Sequence, residues 1–207
     1  LEKGYELSDI QVLSPMYAGN AGITVLNQAL QETFNPKTVD KNEVRLGYIT
    51  FREGDKILQL KNQPDDEVSN GDIGTLVEIV DAKETEDKKT TIVVDFDGTF
   101  VEYKPDSFSN ITLAYCISVH KSQGSEYPIV IMPFAKNQWI MLNKKLIYTA
   151  ITRCKNTLIL IGNKEVFFQG CNVEERHQRN TRLVQRIELK KCKLDIISPE
   201  YCSNEQN

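Results

Sequence analysis

The opening stretch DIQVLSPMYAGNAGITVLNQALQETF, residues 9–34, constrains the fold most. A short apolar run ends at Ser14-Pro15 and a glycine-containing turn follows. Ile23, Leu26, Leu30 and Phe34 then recur near a helical repeat. Asn35-Pro36 stops that helix, because proline disfavours helical backbone in the residue before it. Strand, glycine turn and helix in this order begin an α/β layer. The same character returns later. ITLAYCIS and PIVIMPF read as strands, NKKLIYTAITRCK as a helix and TLILIGN as a further buried strand. Ile147, Ala150, Ile151 and Cys154 are expected on one face of that helix, with Arg153 at the flank of the stripe. VEERHQRNTRLVQRIEL reads as a polar, basic helix, and the tail DIISPEYCSNEQN carries little signal.

Between these two α/β stretches the pattern changes. GDKILQLKN and IGTLVEIVD are short strand-like runs, and DAKETEDKKT is a charged, solvated hairpin tip. TIVVDFDGTFVEYK reads as a hairpin turning at Asp97-Gly98. Short strands at this spacing predict a small barrel, ended by KPDSFSN. The simplest architecture is one α/β domain, residues 1–49 and 109–190, interrupted by a β-barrel over 50–108, with 191–207 as a tail. There are no internal repeats.

Composition removes several function classes. The net charge is −4, which argues against a general electrostatic sponge for nucleic acid but leaves room for a local phosphate-binding groove. The five cysteines show neither C-x-x-C spacing nor a histidine at zinc-ligand spacing, so no metal site is expected and a reducing cytoplasm is. Cys116 and Cys154 lie within apolar patterns as small hydrophobes. No apolar run reaches the roughly 18 residues of a membrane span, and LEKGYELSDI has no signal-peptide pattern. The chain starts at Leu1 and runs almost at once into a strand, as expected of a piece of something longer.

The chemistry concentrates in YCISVHKSQGSEYP, residues 115–128. His120, Lys121, Ser122, Gln123, Gly124, Ser125 and Glu126 follow a strand end, and ligands of parallel α/β sheets bind beyond such ends. A helix beginning near Val119 would add free N–H groups as an anion site. The competing reading is a polar surface turn capped by Ser118. Arg153 is suited to meet a transferring phosphate, or else to interact with a helix C-terminus as a simple cation. SPMYAGNAG could hold an anion at the next helix or be only a turn. No G-x-x-x-x-G-K-[ST] string occurs, and no apolar strand ends in the Asp-Glu that would hold magnesium.

Taken together, these motifs resemble the C-terminal part of RecD-like DNA helicases, relatives of the exodeoxyribonuclease V alpha subunit in helicase superfamily one. VLSPMYAGNAGITVLNQALQ is similar to the family's segment opening the second motor domain. GDKILQLKN with VSNGDIGTLVEI resembles its inserted SH3-like barrel, domain 2B, and LAYCISVHKSQGSEYPIVIMPF and LIYTAITRCKNTLILIG resemble motifs five and six. The resemblance covers roughly residues 8 to 190 and implies a RecA-like second lobe, domain 2A, of the P-loop-NTPase type but without a P-loop. It implies an ATP-dependent 5′-to-3′ DNA helicase, hydrolysing ATP with Mg2+ held mainly by an N-terminal ATP-binding lobe of the same parent chain.

Residue by residue, the resemblance implies that Arg153 is the catalytic arginine approaching the γ-phosphate. Gly124 and Glu126 would meet the nucleotide, Glu126 at the ribose. Ser14, Pro15, Ser118, His120, Lys121, Gln123 and the barrel residue Asn70 would face single-stranded DNA. Ser118 stands where the family has threonine and keeps the hydroxyl. Ala18 stands where many relatives carry a basic residue, which puts a contact near that loop in doubt. KNQPDDEVSNGD is either a clamp on the strand or a hairpin turn without contact. Exonuclease V subunits are possible partners, and no membrane is. Alone, the chain is expected to hydrolyse no ATP. The alternative is a non-catalytic nucleic-acid or protein-binding module on a RecA-like scaffold.

Overall fold

The computed structural model describes residues 4–173, 186–188 and 190. The chain divides into two compact units, Leu1–Glu174 and Glu175–Asn207. In the second, residues 186–188 and 190 are helical and exposed, and the rest of the expected basic helix lies outside the described residues.

The first unit is built on a four-stranded parallel sheet. Its strands are β1 (Ile10–Ser14), β9 (Cys116–Ser118), β10 (Tyr127–Phe134) and β11 (Cys154–Gly162), in the order β11-β10-β1-β9. Val12 pairs with Cys116 on one side and with Ile131 on the other. Helix α1 (Ile23–Phe34) covers β1 and β9 through Ile23, Leu26 and Leu30. Helices α2 (Lys144–Ile151) and α3 (Lys164–Asn172) cover the opposite face, where Leu146, Ile147 and Val166 pack on Val130, Met132 and Phe134. Asn143 caps α2 by accepting from Leu146 N at 2.9 Å, a contact worth about 1 kcal/mol.

The inserted β unit contains β2 (Glu43–Leu46), β3 (Ile49–Arg52), β4 (Lys56–Gln59), β5 (Ile73–Val80), β6 (Thr91–Phe96), β7 (Thr99–Tyr103) and β8 (Ile111–Leu113). β2 and β3 form a hairpin, and the others form an antiparallel sheet in the order β7-β6-β5-β4-β8. A bulge between Leu76 and Glu78 lets the long β5 bend. At the β6–β7 turn Asp97 (φ 51°) and Gly98 (φ 97°) are both left-handed, as a two-residue hairpin of this hand requires. Phe51, Leu76, Ile92 and Tyr103 fill the interior, and burial pushes the Tyr103 hydroxyl up.

Three expectations need correction. ITLAYCIS is two strands: β8 pairs with β4 in the barrel, the chain breaks at Ala114-Tyr115, and β9 then joins the motor sheet. A continuous apolar run hides such a break because every residue in it is buried on one side or the other. The second helix stops at Ile151, which is partly exposed, and Cys154 begins β11, so Arg153 sits in the helix–strand turn. β11 is an edge strand whose Ile159, Leu160 and Ile161 are exposed.

A buried polar clasp holds the neck of the insertion. Lys56 Nζ donates to Ile10 O at 3.0 Å, and Gln11 Nε2 donates to Ala114 O at 3.0 Å. Asp55 accepts from Gln31 Nε2 (2.6 Å), Asn35 Nδ2 (2.8 Å), Arg52 N (2.7 Å) and the Tyr115 hydroxyl (2.9 Å). Burial raises the Asp55 carboxyl above its usual range even though all four donors favour the carboxylate. The same burial drives the Lys56 ammonium down to about 8, with Asp9 opposing.

Candidate functional site

A groove of about 620 Å³ lies beyond the carboxyl ends of β1 and β9. Its walls include Pro15, Asn70, Ser118, His120 and Lys121, so five of the seven residues expected at DNA converge there from three separate stretches. His120 is exposed, Lys121 is half-buried, and Lys121 Nζ donates to Asn70 Oδ1 across the motor–barrel boundary. The barrel loop therefore borders the groove. Met16, Tyr17 and Met141 also line it. The sequence signal for them was weak: single apolar side chains left in polar loops.

Ser14 and Gln123 do not join this groove. Ser14 is fully buried: its hydroxyl donates to Ala21 O at 2.8 Å and accepts from Gln138 Nε2 at 3.3 Å. It fastens the glycine turn rather than facing a ligand, because β1 points it inward at the last ladder position. Gln123 is exposed further along the loop. At the start of α1, Ile23 N donates to Met16 O at 3.0 Å and Thr24 N to Tyr17 O at 3.3 Å, so these two N–H groups are already used within the turn.

No helix begins at Val119. Residues 119–124 form turns, in which Ser118 Oγ accepts from Lys121 N at 3.2 Å and Ser122 Oγ donates to Val119 O at 2.8 Å. Val119 and Ser122 face inward, while His120 and Gln123 face out. Gly124 sits at φ 92° with open space around it, a left-handed bend that favours glycine.

The loop then descends to the opposite edge of the sheet. Ser118 is level with Ser14 at the carboxyl end of β1, whereas Tyr127 lies two residues below the level of Ile10. Six strand steps of about 3.3 Å, with two strand spacings of about 4.8 Å sideways across β1, give a diagonal of roughly 22 Å. Nine chain steps reach at most about 30 Å, so the loop covers this span while keeping its hydrogen-bonded turns.

Arg153 stands at the lower end. Tyr127 N donates to Arg153 O at 2.8 Å, and the guanidinium donates to Ser125 O (3.1 Å), Thr149 O (3.3 Å) and Thr152 Oγ1 (3.3 Å). All three acceptors are neutral, and among the described residues no carboxylate hydrogen-bonds the guanidinium. That suits it to an arriving phosphate. Glu126, beside it on the loop, is exposed and meets Lys155 at 3.6 Å. The expected strand and nucleotide residues thus sit at opposite edges of the sheet, not at one carboxyl end. Cys116, in the sheet core, is an inert thiol pushed up to about 12 by burial. Among the described residues no cluster of His, Cys, Asp and Glu is arranged for a metal, and no helix is long and apolar enough to cross a membrane.

A parallel sheet with helices on both faces and a small antiparallel unit inserted between two of its strands is the second lobe of a RecA-like superfamily one motor. Residues 26–96 match the ATP-dependent RecD-like DNA helicase SH3 domain, and residues 113–161 match the UvrD-like helicase C-terminal domain. The chain belongs to the RecD-like helicase family and corresponds to its C-terminal region.

It is 35% identical over 178 residues to the ATP-dependent RecD2 DNA helicase of Deinococcus radiodurans, covering 86% of this chain and 23% of that protein. It is 30% identical to the RecBCD enzyme subunit RecD of Buchnera aphidicola, covering 76% of this chain and 25% of that one. The chain thus spans about a quarter of the length of these relatives. Its fold is shared with Pif1 helicase from Bacteroides, solved with ADP-AlF3 and single-stranded DNA (TM-score 0.54, 13% identity, 89% of this chain and 45% of that one). It is shared also with Pif1 from Candida albicans (TM-score 0.50, 16% identity, 91% and 50%).

Proposed function

We propose that this chain is the second half of an ATP-dependent 5′-to-3′ DNA helicase motor. Domain 2A would comprise residues 1–42 and 114–190, and the SH3-like domain 2B the strands from Glu43 to Leu113, wider than the 50–108 expected from the sequence because β2 and β8 belong to the inserted unit. The observation that carries this reading is the single short loop of residues 119–126, which joins the groove at Ser118 to Arg153 at the other edge of the sheet. Ser118, His120 and Lys121 hold the backbone of a single strand with a hydroxyl, an imidazole and an ammonium, and Asn70 borders them from the barrel. Arg153 offers its guanidinium to the γ-phosphate from a side where, among the described residues, neutral oxygens alone hold it, and Glu126 is exposed toward a ribose. Bound ATP with magnesium, held mainly by a preceding lobe of the same protein, supplies the phosphoryl group whose loss drives the cycle. A shift of Arg153 moves Ser125, and the hydrogen-bonded turns of the short loop carry the displacement to the strand. RecD belongs to RecBCD by its name, so exonuclease V subunits are partners to test.

The test is single-strand-stimulated ATP hydrolysis by the protein that joins this chain to its nucleotide-binding lobe. Arg153→Ala should lose about 10³–10⁵ in turnover with DNA affinity nearly unchanged. The 207-residue chain alone should hydrolyse no ATP above background. Equal turnover with and without Arg153 would leave a binding module on a motor scaffold.

A further inference from the structure

A second cavity, of about 540 Å³, lies between α1, the β2–β3 hairpin and strands β4 and β8, a size usual for small-ligand sites. It opens into the groove, because Tyr17, Ser118 and Lys121 line both. Its walls have a particular chemistry. The floor is apolar, with Ile23, Leu58, Leu113 and Ile117. Apart from Lys121 at the mouth, every charged side chain in the lining is paired with an opposite charge. Arg52 binds Glu43 at 2.6 Å and Glu32 at 3.0 Å, Lys37 binds Glu43, and Lys121 is held by Asn70. Asn27 and Gln31 are spent on Cys116, Thr50 and Asp55. By contrast, the side chains of Thr24, Gln28, Thr50 and Thr112 make no hydrogen bond among the described residues. Tyr48, 77% exposed at the tip of the β2–β3 hairpin, adds an aromatic face with no packing role.

Inside the mouth held by Lys121, a lining of mutually paired charges, free hydroxyls and an amide around an apolar floor, with a loose aromatic at the rim, offers no unpaired cation to a phosphate. It fits a planar ring with polar edges. We propose that this cleft receives one nucleobase, splayed from a single strand whose backbone lies in the adjoining groove. The inference rests on reading that groove as a single-strand site. Ser118 and Lys121 hold the phosphodiester at the mouth, the base swings past Tyr17, and it stacks on Tyr48 with its edge toward Gln28 and Thr112. Such a base anchors the strand against sliding without any sequence code, since each base offers a flat face.

The experiment compares two short labelled strands, oligothymidylate and a deoxyribose-phosphate chain of the same length lacking bases, by fluorescence anisotropy with the 207-residue chain. The native chain should favour the strand with bases by about tenfold. Tyr48→Ala and Gln28→Ala change exposed side chains, so the fold stays intact. They should lose most of that preference while binding the base-less strand as before. Iodouridine in the strand should crosslink to Tyr48 at saturation. Equal binding of both strands by the native chain, or an undiminished preference in both variants, would overturn the base site and leave the groove standing. Binding of neither strand would overturn the reading of the groove itself.

Discussion

The Tyr115 hydroxyl donates to Asp55 at 2.9 Å, fastening the segment that leaves the barrel to the segment that enters it. Tyr115 immediately precedes β9, the strand that ends at the groove, and Asp55 immediately precedes β4, the first strand of the barrel sheet. The carboxylate also collects α1 and β3, so one buried group sets the angle between the two halves. Asp55→Ala removes an acceptor from four donors, of which Gln31 and Asn35 keep Thr50 O and Glu53 O, and should cost on the order of 3 kcal/mol in urea unfolding. Tyr115→Phe should cost about 1–2 kcal/mol. In a double-mutant cycle the two should couple strongly, and additive effects would mean that the hydroxyl bond contributes nothing.

Lys56 supplies a pH signature. Its folded-state value, about 8, lies below the 10.5 of an unperturbed lysine. Between these values the unfolded chain binds the proton and the folded chain does not, so stability contributed at this site rises with pH from about 8 to 10.5. The native protein minus Lys56→Met should show that rise, about 3 kcal/mol over the whole window. A pH-independent difference across that window would show that the amine is not desolvated.

Lys121 should carry the salt dependence of strand binding. Its removal eliminates one cation at the groove, so Lys121→Ala should reduce the slope of log affinity against log salt by about 0.7 for a single strand. An unchanged slope would place the phosphates elsewhere. Ser118→Thr should bind as the native chain does, and Ser118→Ala more weakly.

Ser14 separates fastening from contact. Its buried hydroxyl ties β1 to the glycine turn and to Gln138, so Ser14→Ala should lower stability by about 1–2 kcal/mol. Strand affinity, measured where both proteins are fully folded, should not change. A selective loss of affinity would restore Ser14 to the binding surface.

Much of this was legible in the chain. Ile23 to Phe34 announced α1 to the residue, since its apolar spacing and the Asn35-Pro36 stop act locally. The Asp97-Gly98 hairpin was equally local. What escaped was set by tertiary context. Ala114 and Tyr115 are as apolar as their neighbours, and only the pairing partners reveal that the strand on either side belongs to a different sheet. Ile159 and Ile161 look like core because edge and centre of a parallel sheet use the same residues. For the candidate site, the polar density after Ser118 pointed to the right loop. It did not show that Ser122 turns inward, that Gln123 misses the groove, or that Asn70 arrives from another element. The cleft had no sequence mark, because its lining comes from three distant segments: Thr24 and Gln28 on α1, Thr50 on β3 and Thr112 on β8.

The meeting of Ala114 N with Lys56 O at 2.7 Å has an evolutionary side. A unit whose first and last strands leave the host at one point can be acquired, swapped or trimmed as a cassette, because the host needs only a short turn to close the gap. The motor sheet keeps its strand order whatever hangs from that junction. Lineages of such motors are then free to diversify by exchanging the appendage while the engine beneath it stays the same.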